Sequence, residues 1–202
     1  TTIVAHMPVL MGECSTCHDV HGSNNPKLAK ATDNSLCLGC HTEFVVARDS
    51  ATTVHAGAED CSQCHAPHQG VTDHLLKDSP SKLCKSCHDL DAAASSSLSQ
   101  HTPYMEQDCA ACHEPHHTKT KHLVRKEGTA LCLSCHDDVA LRLAMPTQHP
   151  PAQDGCEGCH TPHFSAQTSL LTEKTGPLCL SCHAAEDINA SKSHVHTPVA
   201  DG

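Results

Sequence analysis

Apolar residues in this chain are grouped in short stretches, and neither a helical nor a strand period persists along it. In residues 137–144 the apolar positions Val139, Leu141 and Leu143 predict a short helix. Further short helices are predicted after three histidines: His41, His88 and His183. Prolines keep such helices short because they remove a backbone N–H. We therefore predict a chain that is mostly coil with short α-helices and negligible β-structure.

The other apolar positions reveal an internal repeat. An apolar pair follows alternate C-x-x-C-H motifs at a constant interval: Leu28-Ala29, Leu75-Leu76, Leu123-Val124 and Leu170-Leu171. These alternate motifs begin at Cys14, Cys61, Cys109 and Cys156, and the motifs between them begin at Cys37, Cys84, Cys132 and Cys179. We predict one domain spanning 1–202, built from four two-motif repeats. Their approximate ranges are 6–54, 55–100, 101–148 and 149–197.

The two motifs of a repeat differ in their flanks, and we call them the first and the second motif. Each first motif is followed, three positions after its own histidine, by an extra histidine: His21, His68, His116 and His163. Each second motif is preceded by Leu. A series of linker histidines follows the second motifs at a nearly constant interval: His55, His101, His149 and His196. His6 belongs with them, because it precedes Cys14 by the same interval by which His101 precedes Cys109.

The composition argues against an ordinary hydrophobic core. The chain has three aromatic residues and no Trp, whereas Cys and His supply 16 and 21 of its 202 positions. Something other than side-chain packing must fill the interior. The formal net charge of −10 makes nucleic acid an unexpected partner. No apolar run approaches the roughly 20 residues that span a bilayer, so we expect no transmembrane segment and a mature, processed, soluble chain.

The motifs themselves predict c-type haem. Two thiols add to the vinyl groups of a porphyrin, and the adjacent histidine binds its iron. Zinc is the main alternative, since Cys14, Cys17, Cys37 and Cys40 have a zinc-ribbon spacing. A Cys₄ zinc site gives no reason for a histidine after every cysteine pair, and neither does a disulfide.

Eight motifs predict eight covalently bound haems. Sixteen cysteines would attach them: Cys14, Cys17, Cys37, Cys40, Cys61, Cys64, Cys84, Cys87, Cys109, Cys112, Cys132, Cys135, Cys156, Cys159, Cys179 and Cys182. Eight proximal iron ligands follow from the same motifs: His18, His41, His65, His88, His113, His136, His160 and His183. No cysteine is left for a catalytic thiol.

With these paired motifs, "CHxxH" first and "LCxxCH" second, the chain resembles the doubled-C-x-x-C-H multihaem cytochromes from Cys14 to His183. One departure is Val20, which stands where the other repeats have Pro67, Pro115 and Pro162. The resemblance implies an exported electron carrier, extracellular or at the cell surface, with the periplasm as the alternative. It implies other redox proteins or extracellular acceptors as partners. Several similar proteins polymerise, so it also implies self-association into a filament.

Thirteen histidines remain beyond the motifs, and nine of them are periodic: the four extra and the five linker histidines. We predict these as distal ligands, which suffices for eight bis-histidine haems. Two others, His74 and His122, align with Lys27 and Ser169 and are predicted to be surface residues. His117 and His194 have no periodic counterparts. Four methionines show no such phase and are predicted to pack rather than ligate: Met7, Met11, Met105 and Met145.

The assignment of distal ligands to haems is a separate prediction. An extra histidine is badly placed to reach over its own porphyrin, so we assign it to the second haem of its own repeat. The linker histidines would then serve first-motif haems, such as His55 at Cys61 and Cys64. His196 would be left to ligate the first haem of a following subunit. In the alternative, His6 holds that haem and one histidine is redundant.

These predictions favour an electron conduit over an enzyme. An octahaem reductase would need an open iron site and a pocket-forming domain, and haem storage would not explain the ligand periodicity. Three settings compete: a filament subunit, a soluble periplasmic shuttle, and a conduit embedded in an outer-membrane porin. The repeat runs unbroken through the chain, which favours open head-to-tail assembly into a filament.

Overall fold

The computed structural model describes residues 3–89 and 91–184. The described chain is mostly coil with short helices, as predicted. The α-helices are α1 (Met7–Leu10), α2 (Ser35–Leu38), α3 (Thr42–Asp49), α4 (Cys61–Cys64), α5 (Pro80–Lys85), α6 (Asp91–Ser95), α7 (Thr102–Met105), α8 (Thr129–Cys132), α9 (Asp137–Leu143), α10 (Pro150–Asp154) and α11 (Thr175–Leu180). Helices α3, α6 and α9 confirm the predictions after His41, His88 and His136. The stretch after His183 lies outside the described residues.

Short 3₁₀ turns complete the helical structure, at Cys14–Thr16, Pro26–Leu28, Ala56–Glu59, Cys109–Ala111, Lys121–Leu123 and Thr168–Leu170. Each linker histidine from His6 to His149 is the residue before a short helix or 3₁₀ turn. Three of these elements carry proline in their first turn, where no N–H partner is lost. The linker histidines are thereby held at the point where extended backbone turns into a helix.

The β-structure consists of two-residue strands. They are β1 (Val4–Ala5), β2 (Thr53–Val54), β3 (Gln69–Gly70), β4 (Ser99–Gln100), β5 (His117–Thr118) and β6 (Phe164–Ser165). They form three antiparallel pairs: β1 with β3, β2 with β5, and β4 with β6. In every pair, one strand precedes a linker histidine and the other follows the extra histidine of the next repeat. These pairs therefore connect one repeat to the next.

A backbone bridge closes the loop after each first motif. The motif histidine pairs with the second member of the apolar pair in all four repeats: His18 with Ala29, His65 with Leu76, His113 with Val124 and His160 with Leu171. The first member of the pair accepts a hydrogen bond from the residue after the motif histidine, as in Asp19 N to Leu28 O at 2.8 Å. The apolar pair thus fixes the loop through its backbone.

Among the described residues the polypeptide buries almost no apolar side chain. Only Ala58 and Ala94 are buried hydrophobics, at 9% and 5% exposure. The four methionines are exposed on the polypeptide. No described helix is long and apolar enough to cross a bilayer. Stability must therefore come from something other than a protein core.

The chain divides into two compact units. One comprises Thr1–His88 and Cys109–Glu127, and the other Asp89–Asp108 and Gly128–Gly202. The first unit contains the strand pairs β1 with β3 and β2 with β5, and the second contains β4 with β6.

Candidate haem sites

Every first-motif histidine is fixed by a hydrogen bond from its ring to the backbone. Its Nδ1–H donates to the carbonyl nine positions later: His18 to Lys27 at 2.9 Å, His65 to His74 at 2.7 Å, His113 to His122 at 3.0 Å and His160 to Ser169 at 3.0 Å. A proton held on Nδ1 leaves the lone pair of Nε2 for a metal and sets the orientation of the ring. Histidines that bind metals usually make such a hydrogen bond through the ring nitrogen that does not bind the metal.

The accepting carbonyl belongs to a backbone turn in the left-handed region. Lys27, His122 and Ser169 have φ of 59°, 57° and 56°. The side chain at this position therefore plays no part, which explains why Lys, His and Ser all occupy it. His74 and His122 are exposed, as predicted for surface residues. Sequence reasoning missed the role of their carbonyls, because a backbone acceptor leaves no residue type as a signal.

Two first-motif histidines face an extra histidine from the next repeat. The ring centroids of His18 and His68 are 5.9 Å apart, and those of His65 and His116 are 6.0 Å apart. Burial, followed by the neighbouring His65, lowers the pKa of His116. The neutral ring, which is the form that binds iron, is favoured there.

Every second-motif histidine faces a linker histidine from its own repeat. The centroid distances are 6.3 Å for His41 and His6, 6.0 Å for His88 and His55, 6.0 Å for His136 and His101, and 6.0 Å for His183 and His149. The ring planes are inclined by 13–29°. The same pairing thus recurs in all four repeats.

These distances fit an iron atom between the rings. A metal–nitrogen bond of about 2 Å, with the ring centre about 1.1 Å behind the nitrogen, puts two axial centroids about 6.3 Å apart. Six observed pairs lie between 5.9 and 6.3 Å. Beside each pair stands a C-x-x-C segment in a helical or 3₁₀ turn, or directly after one. The residues present therefore fit haem c, which when bound supplies a one-electron couple at its iron.

The pairing corrects our assignment of distal ligands, which is wrong in both series. Linker histidines face second-motif histidines, and extra histidines face first-motif ones. The strand pairs explain this: the N–H groups of His6, His55 and His101 donate to the carbonyl of the next repeat's extra histidine, as in His55 N to His116 O at 2.8 Å. The two side chains leave this junction towards different motifs.

Five histidines outside the motifs remain: two extra histidines, one linker histidine and two without periodic counterparts. His163 accepts a hydrogen bond at its carbonyl from His101 N at 2.8 Å, and its ring centroid is 5.7 Å from that of Tyr104. His21 is 96% exposed. His117 lies against Phe44, with centroids 5.0 Å apart. His194 and His196 lie outside the described residues.

Successive attachment sites lie side by side. All sixteen cysteines are in the described part of the chain, and none forms a disulfide. The first cysteine of a second motif lies close enough to the first cysteine of the next repeat to have its pKa raised in three places: Cys37 by Cys61, Cys84 by Cys109, and Cys132 by Cys156. Burial, with the hydrogen bond and charge of Cys156, raises the pKa of Cys132 to about 11. Sequence spacing did not reveal these contacts.

Shorter-range neighbours extend this row of sulfurs. Cys17 also lies close enough to Cys37 to raise its pKa, and Cys64 does the same to Cys84. In the first unit, the cysteines of five successive motifs are thus neighbours in sequence order. Cys61 and Cys64, which belong to the same motif, connect the contact with Cys37 to the contact with Cys84. The described residues contain no cluster of three or more His, Cys, Asp or Glu side chains suited to a single metal ion, so the four cysteines of the zinc alternative do not converge.

The chain has repeated haem-attachment motifs, and its paired histidines are at distances that fit an iron atom between them. These features define a multihaem c-type cytochrome. The family model for the doubled CXXCH motif matches the chain four times, at residues 6–46, 54–93, 101–141 and 149–188, about four fifths of its length. The chain belongs to this family. No curated protein shows significant similarity to it.

Proposed function

We propose that this chain conducts electrons along eight closely spaced, bis-histidine haems and that it is not an enzyme. The observation that carries the proposal is the row of neighbouring sulfurs. Haems attached at Cys37 and Cys61, or at Cys132 and Cys156, would be tethered at neighbouring thiols. Such tethering favours direct electron transfer between them.

The ligand geometry supports a carrier and not a substrate-binding site. The paired imidazoles would hold the iron between them and keep it low-spin, with a potential below that of His/Met cytochromes. The polypeptide sets the spacing, the ligands and the surroundings, while the cofactor supplies the redox chemistry. Such pairs are formed by all four second-motif histidines and by His18 and His65.

We also propose that the chain acts outside the cell as a subunit of a polymeric cytochrome filament. The support is the internal sequence repeat, since a head-to-tail contact that does not close produces an open fibre. A periplasmic or porin-embedded conduit would use the same row of haems. Electron micrographs of purified holoprotein separate these settings: filaments support the proposal, and particles that stay monodisperse at high concentration contradict it.

Deleting one haem from the row tests conduction. We would compare Cys84→Ala/Cys87→Ala, inside the first unit's row, with Cys14→Ala/Cys17→Ala, at its end. Native mass should show seven haems in both variants. After pulse injection of one electron per molecule, redistribution among haems should slow in the first variant and stay near the wild-type rate in the second. Equal rates would contradict a row-wise path, and rapid cyanide binding by several haems of intact protein would favour a reductase.

A further inference from the structure

The histidine pairs follow a rule that the four repeats cannot satisfy by themselves. An extra histidine serves the first motif of the repeat before its own, as His68 faces His18 and His116 faces His65. Of the four repeats, the one that contains His21 is the first, and the one that contains His160 is the last. The rule therefore leaves one unassigned donor in the first repeat and one unassigned first-motif site in the fourth.

Both groups are arranged as their paired counterparts are. His160 donates its Nδ1–H to Ser169 O at 3.0 Å, like the other first-motif histidines, yet no histidine ring of the described residues faces it. His21 is 96% exposed, and its Nδ1 lies 4.0 Å from Asp19. The ligating candidate His116 has the same arrangement, with Nδ1 3.7 Å from Glu114 two positions earlier.

The strand pairs also leave one segment of the first repeat and one of the fourth without a partner in the described part of the chain. Three linker strands pair with the strand that follows the next repeat's extra histidine. By that register the fourth linker, residues 147–148, requires a partner equivalent to residues 22–23. In the described part of the chain, neither segment lies in a strand pair. The two segments occupy equivalent sequence positions in the first and the fourth repeat.

The local structure of the segment after His21 matches that of a paired segment. Ser23 Oγ donates to Ala29 O and accepts from Asn25 N at 3.0 Å, as Ser165 does with Leu171 O and with Gln167 N at 2.9 Å. The turn after His21 is thus already formed as in the strand β6 region.

Residues 147–148 include a hydroxyl that can donate a hydrogen bond to this turn. In two internal junctions a hydroxyl two positions before the linker histidine donates to the chain across it: Thr53 to Thr120 O at 2.8 Å and Ser99 to Gln167 O at 2.6 Å. Thr147 occupies this position before His149, and Asn25 O is the equivalent acceptor. Pro146 replaces Thr52 and Leu98, whose N–H groups bond across the internal junctions. A junction made through 147–148 therefore has one hydrogen bond fewer and is weaker than the internal ones.

We propose that His21 of one chain is the distal ligand of the haem attached at Cys156 and Cys159 in a second copy of the chain. The segment 22–23 pairs there with residues 147–148 of that copy. This deepens the filament proposal and rests on it. It also replaces our sequence-based expectation for His196. The observed register assigns linker histidines to second motifs, and the equivalent second-motif site, at His41, is already faced by His6 at 6.3 Å.

Two variants that each lack one side of the junction test this directly. His21→Ala holoprotein keeps the receiving haem but lacks the donor, and Cys156→Ala/Cys159→Ala keeps the donor but lacks the receiving haem. Neither should polymerise, by light scattering and micrographs. The first should show one haem in about eight that is high-spin and binds carbon monoxide. The second should show none, because its remaining haems all keep their ligands.

Mixing the two variants should restore low-spin ligation and stop at a one-to-one dimer, because each copy then has one blocked side. His196→Ala is the matched control and should polymerise normally with all haems low-spin. The proposal is overturned if His21→Ala stays low-spin and assembles, if His196→Ala exposes the haem instead, or if diluted wild-type monomers bind no carbon monoxide. None of these outcomes alters electron redistribution within a single chain, so the conduit proposal is tested separately.

Discussion

The two motifs of each repeat hold their haems in different ways. A second-motif histidine faces a linker histidine of its own repeat, such as His88 with His55. A first-motif histidine faces an extra histidine of the next repeat, such as His18 with His68. A second-motif haem would therefore take both ligands from one repeat, and a first-motif haem would take one ligand from the next repeat. Of the two histidine pairings, only that of the first motifs crosses between repeats.

The local structure around the histidine also differs between the two motif classes. First-motif histidines are oriented by a backbone carbonyl in a closed loop. Second-motif histidines instead lead into helices: His41 is the residue before α3 and His136 the residue before α9. The Nδ1 of His41 lies 3.8 Å from Glu43 in the first turn of α3. A loop fixed at both ends suits a site that must accept a ligand from outside its own repeat.

The largest expected effect is the loss of a distal ligand. His68→Ala should convert the first-motif haem of repeat one to a high-spin, carbon monoxide-binding form, about one eighth of the haem signal. His55→Ala should do the same to the haem at Cys84 and Cys87. The His68 variant should also be the less stable to denaturant, because it removes a link between repeats.

Second deletions identify the affected haem. Adding Cys14→Ala/Cys17→Ala to the His68 variant should abolish the high-spin signal, while adding Cys84→Ala/Cys87→Ala should leave it. The opposite result would restore the assignment that sequence spacing favoured, in which an extra histidine serves its own repeat.

A smaller effect is expected at the left-handed turn that supports the first motif. His122→Val should destabilise the protein by about 1–2 kcal/mol, because a β-branched residue is disfavoured at a φ of 57°. His122→Gly should be neutral or slightly stabilising by the same reasoning. Denaturant titration of the holoprotein measures both. If the glycine variant lost as much stability as the valine variant, the imidazole of His122 would have a role of its own.

The smallest effect concerns a cation that distinguishes the first motifs from one another. Arg125 Nε donates to Ala110 O at 2.7 Å between the two cysteines of the third repeat's first motif, and Lys30 and Lys77 make the same bond in repeats one and two. Repeat four has Thr172 at this position. Arg125→Thr should therefore cost under about 1 kcal/mol, since the side chain is half exposed, and leave the haem spectrum unchanged. A spectral change would show that the bond positions His113.

Much of the fold followed from residue spacing. The short helices after His41, His88 and His136 were predicted, because helix formation over a few residues depends on local pattern and on proline positions. The strand pairs were not, because strands as short as β2 carry no alternation and depend on a partner in a distant part of the chain. The Nδ1 acceptors were missed because they are backbone atoms, and Lys27, His74, His122 and Ser169 share no side-chain chemistry.

The sequence by itself determined the cofactor chemistry and its phase. Attachment involves five consecutive residues, so each C-x-x-C-H motif defines its haem site without reference to the rest of the chain. Only the tertiary structure decided which distal histidine faces which motif. The repeat makes that choice ambiguous in sequence, because moving every histidine series by one motif leaves the spacing equally regular. Strand pairing between repeats removes the ambiguity: His55 N bonds to His116 O, and their side chains then face His88 and His65.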